Sequence, residues 1–578
     1  MNDGYITDWP ISERFPHYTR ANAGEVMGDP VSPLGWTFGW EGAMVLGMRD
    51  GWIRGGTHEI EDFDPVHPET FGMFGGYFYL NLASCRLQGV RNPGVTVEQL
   101  DIAFFGHHPD VPPYVAHPDD EKPHLIANIE ANTAWVMAGA EWPQLNDDKA
   151  AASDLRRDRL SLESYSDAEL LQRARRMRPM LHHLFEQHVV SGSSSAAAPG
   201  LLAGVGEAVG DATIPMKILA GIGDVDSALP SHALWSLSRD IRNDAGLTKA
   251  FDAGIEDVLG RVASSDSIAA RKFLREWDEF IAEFGSRGPN EWDIYADTWE
   301  TKPDIALAAL DVIRLQVDEE SPQTRHEAVA TQRAAVTAEV RAKALGQADV
   351  IAMLDAALKV SAMMAYRERT KTTIVKVIHE ARMVFRELGR RHAAHGNIAH
   401  AGHLFMLLES ELDAFVADPQ SFRTQLEARA SDYEALWDIE PPFIISDGEL
   451  PPLNTWRRRS ESAGEAVQVG TQLIGVSGAP GVVRGTARIV MDVFDPSALE
   501  PGDILVAPFT DPAWTPLFLA AGAVVVDVGS PISHAVIVSR ELGLPCVVSV
   551  TAATSLIPDG ATVEVNGDTG VVTVLAWP

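Results

Sequence analysis

Gly529-Ser-Pro-Ile-Ser-His-Ala-Val-Ile-Val-Ser-Arg-Glu-Leu-Gly-Leu-Pro545 follows directly on the β-branched run Ala523-Val-Val-Val-Asp-Val528. The run reads as a buried strand and Gly529 to Ile532 as a turn. Ser533 reads as an N-cap, and Ala535 to Leu542 as a short helix stopped by Gly543 and Pro545. His534 therefore stands in the first helical turn. There the unpaired backbone N–H groups and the positive end of the helix dipole favour an anion, phosphate above all. A neutral imidazole nitrogen in that place can attack a phosphoryl group and hold it as a transient phosphohistidine. The same position suits a histidine that merely caps or packs, and the stretch on its own does not separate the two.

At 578 residues the chain is too long for one core, so two to four domains are expected. Its 46% hydrophobic and 22% charged residues are ordinary for a globular protein. Lys and Arg number 47 against 81 Asp and Glu, a net charge of -34 that argues against nucleic-acid and anionic-membrane partners. Two cysteines, Cys85 and Cys546, supply neither a disulfide framework nor a metal site, which points to a reducing compartment. The start, Met1-Asn-Asp-Gly-Tyr-Ile-Thr-Asp-Trp-Pro10, lacks the basic and apolar regions of a signal peptide, and no apolar run is long enough to span a membrane. A cytoplasmic protein is expected.

Three textures succeed one another along the chain. Residues 1 to about 145 are rich in Gly, Pro and aromatics, as in Gly35-Trp-Thr-Phe-Gly-Trp40 and Phe71-Gly-Met-Phe-Gly-Gly-Tyr-Phe-Tyr79. Irregular structure with short helices is expected, its aromatics forming either a core or the walls of an apolar pocket. Residues from about 148 to 438 read as helical. Leu307, Leu310, Val312, Ile313, Leu315 and Val317 form one amphipathic stripe, and Ser191-Gly-Ser-Ser-Ser-Ala-Ala-Ala-Pro-Gly200 reads as a loop. The proline-bearing segment from Glu440 to Val469 reads as an interdomain linker. After it, short β-branched runs and a turn at Asn566-Gly567 predict a compact β/α domain over 470–578. Histidines recur at His107-His108, at His182-His183 with His188, and at His392, His395, His400 and His403. They form no convincing ligand set, so no metal site is expected.

Four segments occur in order: Gly475-Val-Ser-Gly-Ala-Pro-Gly-Val-Val-Arg-Gly485, Gly502 through Pro516 with its Thr510-Asp511-Pro512, which reads either as a plain turn or as a loop facing His534, Ser533-His-Ala through Pro545, and Asp559-Gly560 through Gly570. Together they closely resemble the swivelling phosphohistidine domain of the phosphoenolpyruvate-utilising enzymes, a family that includes the rifampin phosphotransferases, the pyruvate phosphate dikinases and phenylphosphate synthase. The resemblance implies that His534 is the phosphorylated residue, with Gly529, Ser533 and Ala535 around the bound phosphate. Ser530 replaces a second glycine common in the family's turn, and Ile532 stands where the dikinases have Thr.

Upstream, Tyr18-Thr-Arg-Ala-Asn-Ala-Gly-Glu-Val-Met-Gly-Asp-Pro-Val-Ser-Pro-Leu34, Phe284-Gly-Ser-Arg-Gly-Pro-Asn-Glu-Trp-Asp293, Arg367-Glu-Arg-Thr-Lys371 and the stretch from Gly389 to Phe405 resemble the acceptor-binding region of rifampin phosphotransferases. Ser286 replaces a usual His there. Arg367 and Lys371, four apart on an apparent helix, share one face about 40° apart. The resemblance implies that they lie near the transferred phosphoryl group; by composition alone they read as a solvated basic face.

The expected fold is thus multidomain α+β: a mostly helical acceptor-binding region over 1–440, a linker over 441–469, and a swivelling phosphohistidine domain over 470–578. No segment reads as the family's ATP-grasp domain. The resemblance therefore implies a split dikinase-type phosphotransferase. ATP and Mg²⁺ would be used by a separate ATP-grasp protein, and the acceptor would be a small hydroxylated, apolar or aromatic molecule. The alternative is a phosphocarrier or regulatory partner with no small-molecule acceptor of its own.

Overall fold

The computed structural model describes residues 4–105, 111–139, 141–159, 161–223, 225–446, 448–459, 467–493, 499–530 and 533–578. His107-His108, Ile532 and part of the expected linker fall outside these. Packing gathers the chain into two compact units, each built from three segments. The first comprises Met1–Ser194, Asn290–Ala296 and Arg369–Ala463. The second comprises Ser195–Pro289, Asp297–Glu368 and Gly464–Pro578. Among the described residues no helix is long and apolar enough to cross a membrane.

The first unit holds a four-stranded antiparallel sheet of β1 (Tyr18–Thr19), β2 (Phe71–Phe74), β3 (Tyr77–Asn81) and β4 (Ile444–Ile445), in the order β2-β3-β1-β4. Its hairpin lies where irregular structure was expected. Gly75 and Gly76 both take positive φ, 58° and 75°. That is the geometry of a two-residue turn matching the strands' twist, so the aromatic residues on either side pair. The aromatic clusters are core: Trp36, Phe38, Trp40, Phe74, Tyr77, Phe78 and Tyr79 are all buried. Trp36, Phe38 and Trp40 ride on a wide π-helical segment, Gly35–Met44, and Trp40 packs its ring on Phe71, Phe78 and Trp292.

Two motifs that carried the upstream resemblance are structural here. Arg20 is buried and donates to the carbonyls of Phe78, Met27 and Gly28, with its guanidinium over the rings of Tyr77 and Tyr79. Asp293 is buried and accepts from Ser32 N (2.7 Å), Ser32 Oγ (2.6 Å) and Tyr295 N (2.9 Å). Arg382 donates to the backbone carbonyls of Glu291 and Asp293. The long helix Ala362–Ala394 supplies Ile374, Val377, Ile378, Ala381, Val384 and Phe385 to the same core.

The second unit holds an eight-stranded sheet: β5 (Gln472–Ile474), β6 (Val476–Ala479), β7 (Val482–Ile489), β8 (Ile504–Ala507), β9 (Ala523–Val526), β10 (Cys546–Val548), β11 (Thr562–Asn566) and β12 (Val571–Ala576). Their order is β5-β12-β11-β7-β8-β9-β10-β6, with β7 to β10 parallel and the remaining pairs antiparallel. The expected β-branched runs form these strands. Because side chains alternate faces with period two, Leu505, Ala507, Val524 and Val526 point into one cluster. Ile504, Val506, Ala523 and Val525 point into another, beneath the β11–β12 hairpin. The first cluster continues into Leu234, Leu237 and Ile241 of helix Leu229–Asn243 and into Leu307, Leu310 and Ile313 of helix Asp304–Ile313.

Three local expectations change. Ser191–Gly200 is not a loop: helices Arg178–Ser195 and Ala197–Val209 run through it. Ser191 turns its hydroxyl back to the His188 carbonyl at 2.9 Å, which satisfies it inside a helix. The stripe in the 307–317 stretch ends with its helix at Ile313, leaving Leu315 and Val317 exposed. The described part of the linker is packed rather than loose, since Ile444–Ile445 pairs with β1 and Trp456 is buried.

Replacing Asp293 with Ala strands the Ser32 donors in a buried site. It is expected to destabilise the first unit by about 2–3 kcal/mol, with Asp293→Asn losing less because its amide oxygen still accepts. Urea unfolding followed by tryptophan fluorescence measures both.

Candidate active site

Helix His534–Leu542 begins as the sequence predicts. Ser533 is the N-cap in extended conformation (φ -69°, ψ 164°), Ile537 N donates to Ser533 O at 3.0 Å, and Gly543 ends the helix in the left-handed region at φ 66°. The helix follows β9 and leads back to β10, so His534 sits beyond the carboxyl end of a parallel strand. The loop between is pinned to its neighbours. Asp527 accepts from Thr554 N (2.9 Å) and Thr554 Oγ1 (2.5 Å), and Ser549 Oγ donates to Gly529 O. Burial pushes the Asp527 carboxyl up to about 6, against the Thr554 hydrogen bonds that favour its charge.

His534 itself is buried, at 5% exposure. Its Nδ1 lies 3.2 Å from Thr510 Oγ1 and its Nε2 lies 2.9 Å from Thr515 Oγ1. A neutral imidazole has one donor and one acceptor nitrogen, and a hydroxyl can serve either. The pair of threonines therefore satisfies the ring in either tautomer. Phe518 stands edge-on to it, 5.9 Å between centroids. Thr510 opens the turn that Asp511 caps by accepting from Ala513 N at 2.9 Å, and Thr515 begins helix Thr515–Ala520. Thr510-Asp511-Pro512 thus serves both as a turn and as a wall facing the histidine. The sequence reading missed Thr515 and Asp527. The signals were there: a threonine one turn beyond Thr510, and a carboxylate ending the strand that feeds the motif.

The remaining expected residues fall out as follows. Ser533 is buried, and its Oγ has no hydrogen-bond partner among the described residues. It is a hydroxyl left over at the helix mouth beside His534, suited to an anion's oxygen. Ala535 is buried, so it can offer only its backbone N–H there. Gly529 makes its close approach to the sheet: a Cβ would lie 2.9 Å from Val548 Cβ. Arg367 and Lys371 both lie on helix Ala362–Ala394, where Arg367 pairs with buried Glu368 at 2.7 Å. By packing Arg367 belongs with His534 in the second unit and Lys371 in the first. Arg484 is an exposed partner of Glu564 at 2.6 Å.

Three of the recurring histidines have carboxylate partners. His182 meets Asp50 at 2.8 Å, His183 meets Asp148 at 3.2 Å, and His392 meets Asp167 at 3.1 Å. Among the described residues no group of three or more His, Cys, Asp or Glu is placed to hold a metal ion. Burial pushes both thiols, Cys85 and Cys546, up to about 12.

A model of the mobile domain of PEP-utilising enzymes matches residues 499–570, which contain His534 and both threonines. A model of the rifampicin phosphotransferase fourth domain matches residues 185–368. Both matches point to the PEP-utilising enzymes. The chain is similar to the rifampicin phosphotransferase of Streptomyces sviceus, at 30% identity over 56% of this chain and 37% of that protein. It is likewise similar to the prodigiosin-synthesising transferase PigC of Serratia marcescens, at 30% over 62% of this chain and 40% of that protein. An uncharacterised Mycobacterium tuberculosis protein is 28% identical over 98% of this chain and 62% of its own length. The chain thus spans less than two thirds of each of these relatives. The fourth-domain match ends at Glu368, where the helical segment of the second unit also ends. Residues 499–570 thus match the mobile domain of PEP-utilising enzymes, and the relatives include proteins named as phosphotransferases.

Two measurements follow from the site. Folded Asp527 holds its proton between about pH 4 and 6, whereas unfolded Asp527 loses it near 3.8. Stability should therefore fall by about 2–3 kcal/mol as pH rises through that window. Asp527→Asn should flatten this part of the curve in urea unfolding from pH 4 to 7. Thr515→Val removes the Nε2 partner and should shift the tautomer balance of His534, read from its imidazole nitrogen chemical shifts; unchanged shifts would show that the hydroxyl does not hold the ring.

Proposed function

We propose that this chain is the phosphohistidine and acceptor-binding component of a split ATP-dependent, dikinase-type phosphotransferase. The observation that carries the reading is His534 itself: an imidazole at the mouth of a helix, between two hydroxyls, inside the segment that matches the family's mobile domain. In the first half-reaction a ring nitrogen attacks the phosphorus of a donor charged from ATP and Mg²⁺ on a separate ATP-grasp protein. The donor's P–O bond breaks as the N–P bond forms, and one threonine hydroxyl turns aside to leave that nitrogen free. The Ser533 hydroxyl and the first-turn N–H groups, Ala535 among them, then hold the phosphoryl oxygens.

In the second half-reaction the oxygen of an acceptor hydroxyl attacks the phosphorus and the N–P bond breaks back to the imidazole. Arg367 and Lys371 are assigned to the phosphoryl charge in this step, where fixed cations act on charge that builds in the transition state. The acceptor is proposed to be a small molecule with an apolar or aromatic body. The similarity to proteins named rifampicin phosphotransferase and prodigiosin-synthesising transferase, names that each carry a small molecule, supports that class.

Incubated with an ATP-grasp protein, ATP and Mg²⁺, the chain should gain one acid-labile phosphate by intact mass, and His534→Ala should gain none. Arg367→Ala and Lys371→Ala should slow transfer to the acceptor about a hundredfold while leaving His534 phosphorylation nearly unchanged. Equal losses in both half-reactions would remove the role given to the cations. Phosphorylation without any small-molecule product would favour the phosphocarrier reading.

A further inference from the structure

Glu541 lies on the histidine helix seven residues beyond His534, two turns away, and is 4% exposed. No part of the chemistry above uses it. Its carboxylate reaches out of its own domain. Oε1 accepts from Ile222 N at 3.1 Å, Oε2 accepts from Gly223 N at 3.3 Å, and Oε2 lies 3.3 Å from His326 Nδ1. The hydrogen bond with Glu541 raises the His326 pKa, and His232 and Arg333 lie within range of the same carboxylate.

His326 belongs to helix Pro322–Lys343, which has 22 residues and only Pro322 and Val340 buried. A helix so little buried is held by few attachments. One is Arg333 Nε to Ile218 O at 2.8 Å. Another is the close approach of Val329 to the end of the histidine helix, where a Cβ on Gly543 would lie 2.7 Å from Val329 Cγ2. Arg341 pairs with Asp355 beyond the helix's own end, and Glu541 is the charged attachment to the histidine helix.

We propose that helix Pro322–Lys343 is a strap and Glu541 its catch, an autoinhibitory contact that holds the histidine helix against the helical segment 195–368 and keeps His534 covered. The purpose rests on the phosphohistidine reading, because a ring with both nitrogens occupied and 5% exposed cannot meet a phosphoryl donor until its cover moves. The choice of attachment fits that purpose. Glu541, two backbone N–H groups and His326 all regain water when they part, so this contact is the polar part of a seam that is otherwise apolar, from Val536 and Phe518 to Leu234 and Leu310. Within the helix, Glu541 and His534 move as one rigid body, so releasing one end frees the other.

The test uses the full chain with no phosphoryl donor present. Carbethoxylation of His534 by diethyl pyrocarbonate is followed by peptide mass spectrometry, beside amide exchange of the β11–β12 hairpin as a report on the intact domain. Glu541→Ala is expected to speed modification of His534 about tenfold and His326→Ala about threefold, with hairpin exchange unchanged. An unchanged rate at His534 in Glu541→Ala overturns the proposal. If that variant also opens the hairpin, His326→Ala decides, since its side chain is 29% exposed and can be lost without opening the core; no acceleration there overturns the strap. The reagent needs no phosphoryl chemistry, so a His534 that never accepts phosphate leaves this result standing, and a failed strap leaves phosphorylation untouched.

Discussion

His534 is held between Thr510 and Thr515 with a hydroxyl on each ring nitrogen, and most of what surrounds it serves that placement. Burying an imidazole without partners costs a polar group its water; two threonines from one short segment remove that cost. The segment is set by Asp511 capping its turn. The loop on the other side is set by Asp527 and Ser549 gripping the chain between β9 and the helix. The ring is thus satisfied where it is; in the proposed reaction one hydroxyl must rotate before a ring nitrogen can attack.

The sheet beneath makes this possible. Parallel strands buried on both faces must be apolar throughout, and β8 and β9 are. One face packs under the β11–β12 hairpin and belongs to the domain alone. The other face continues through Leu517, Phe518 and Val536 into Leu234, Leu237 and Leu310. The histidine helix lies on that second face. His534 therefore shares its face of the sheet with the apolar seam to the helical segment.

Much of this was legible in the sequence. The strand, turn and helix around His534 each carry a local signal: β-branched residues in the strand, Ser533 at the cap, Gly543 at the stop. Local chemistry fixes them wherever they are packed. Thr515 and Asp527 were not legible because their roles exist only across the fold, nineteen residues before the histidine in one case and twenty-seven before Thr554 in the other. The Gly75-Gly76 hairpin was read as irregular because glycine-rich aromatic sequence has no period; positive φ at both positions supplies the reason it pairs. Ser191–Gly200 misled in the opposite sense: its composition suits a linker, yet Ser191 closes its hydroxyl on a carbonyl one turn back within a helix. For Arg367 and Lys371, helical spacing was correct, but spacing places two residues on one face without saying which body that face joins.

The interleaving of segments has a consequence for biosynthesis. β1 near the start of the chain pairs with β4 at Ile444–Ile445, and Tyr77 Oη donates to the carbonyls of Leu436 and Ile439. None of these partners exists until translation has passed residue 445. At ribosomal speeds of roughly 5–20 residues per second, the aromatic hairpin waits about 18–73 seconds after its own synthesis for the strand and carbonyls that complete its sheet. During that interval β1 lacks its neighbour on the β4 side and the Tyr77 hydroxyl lacks its carbonyl acceptors, so the sheet of the first unit closes only late in synthesis.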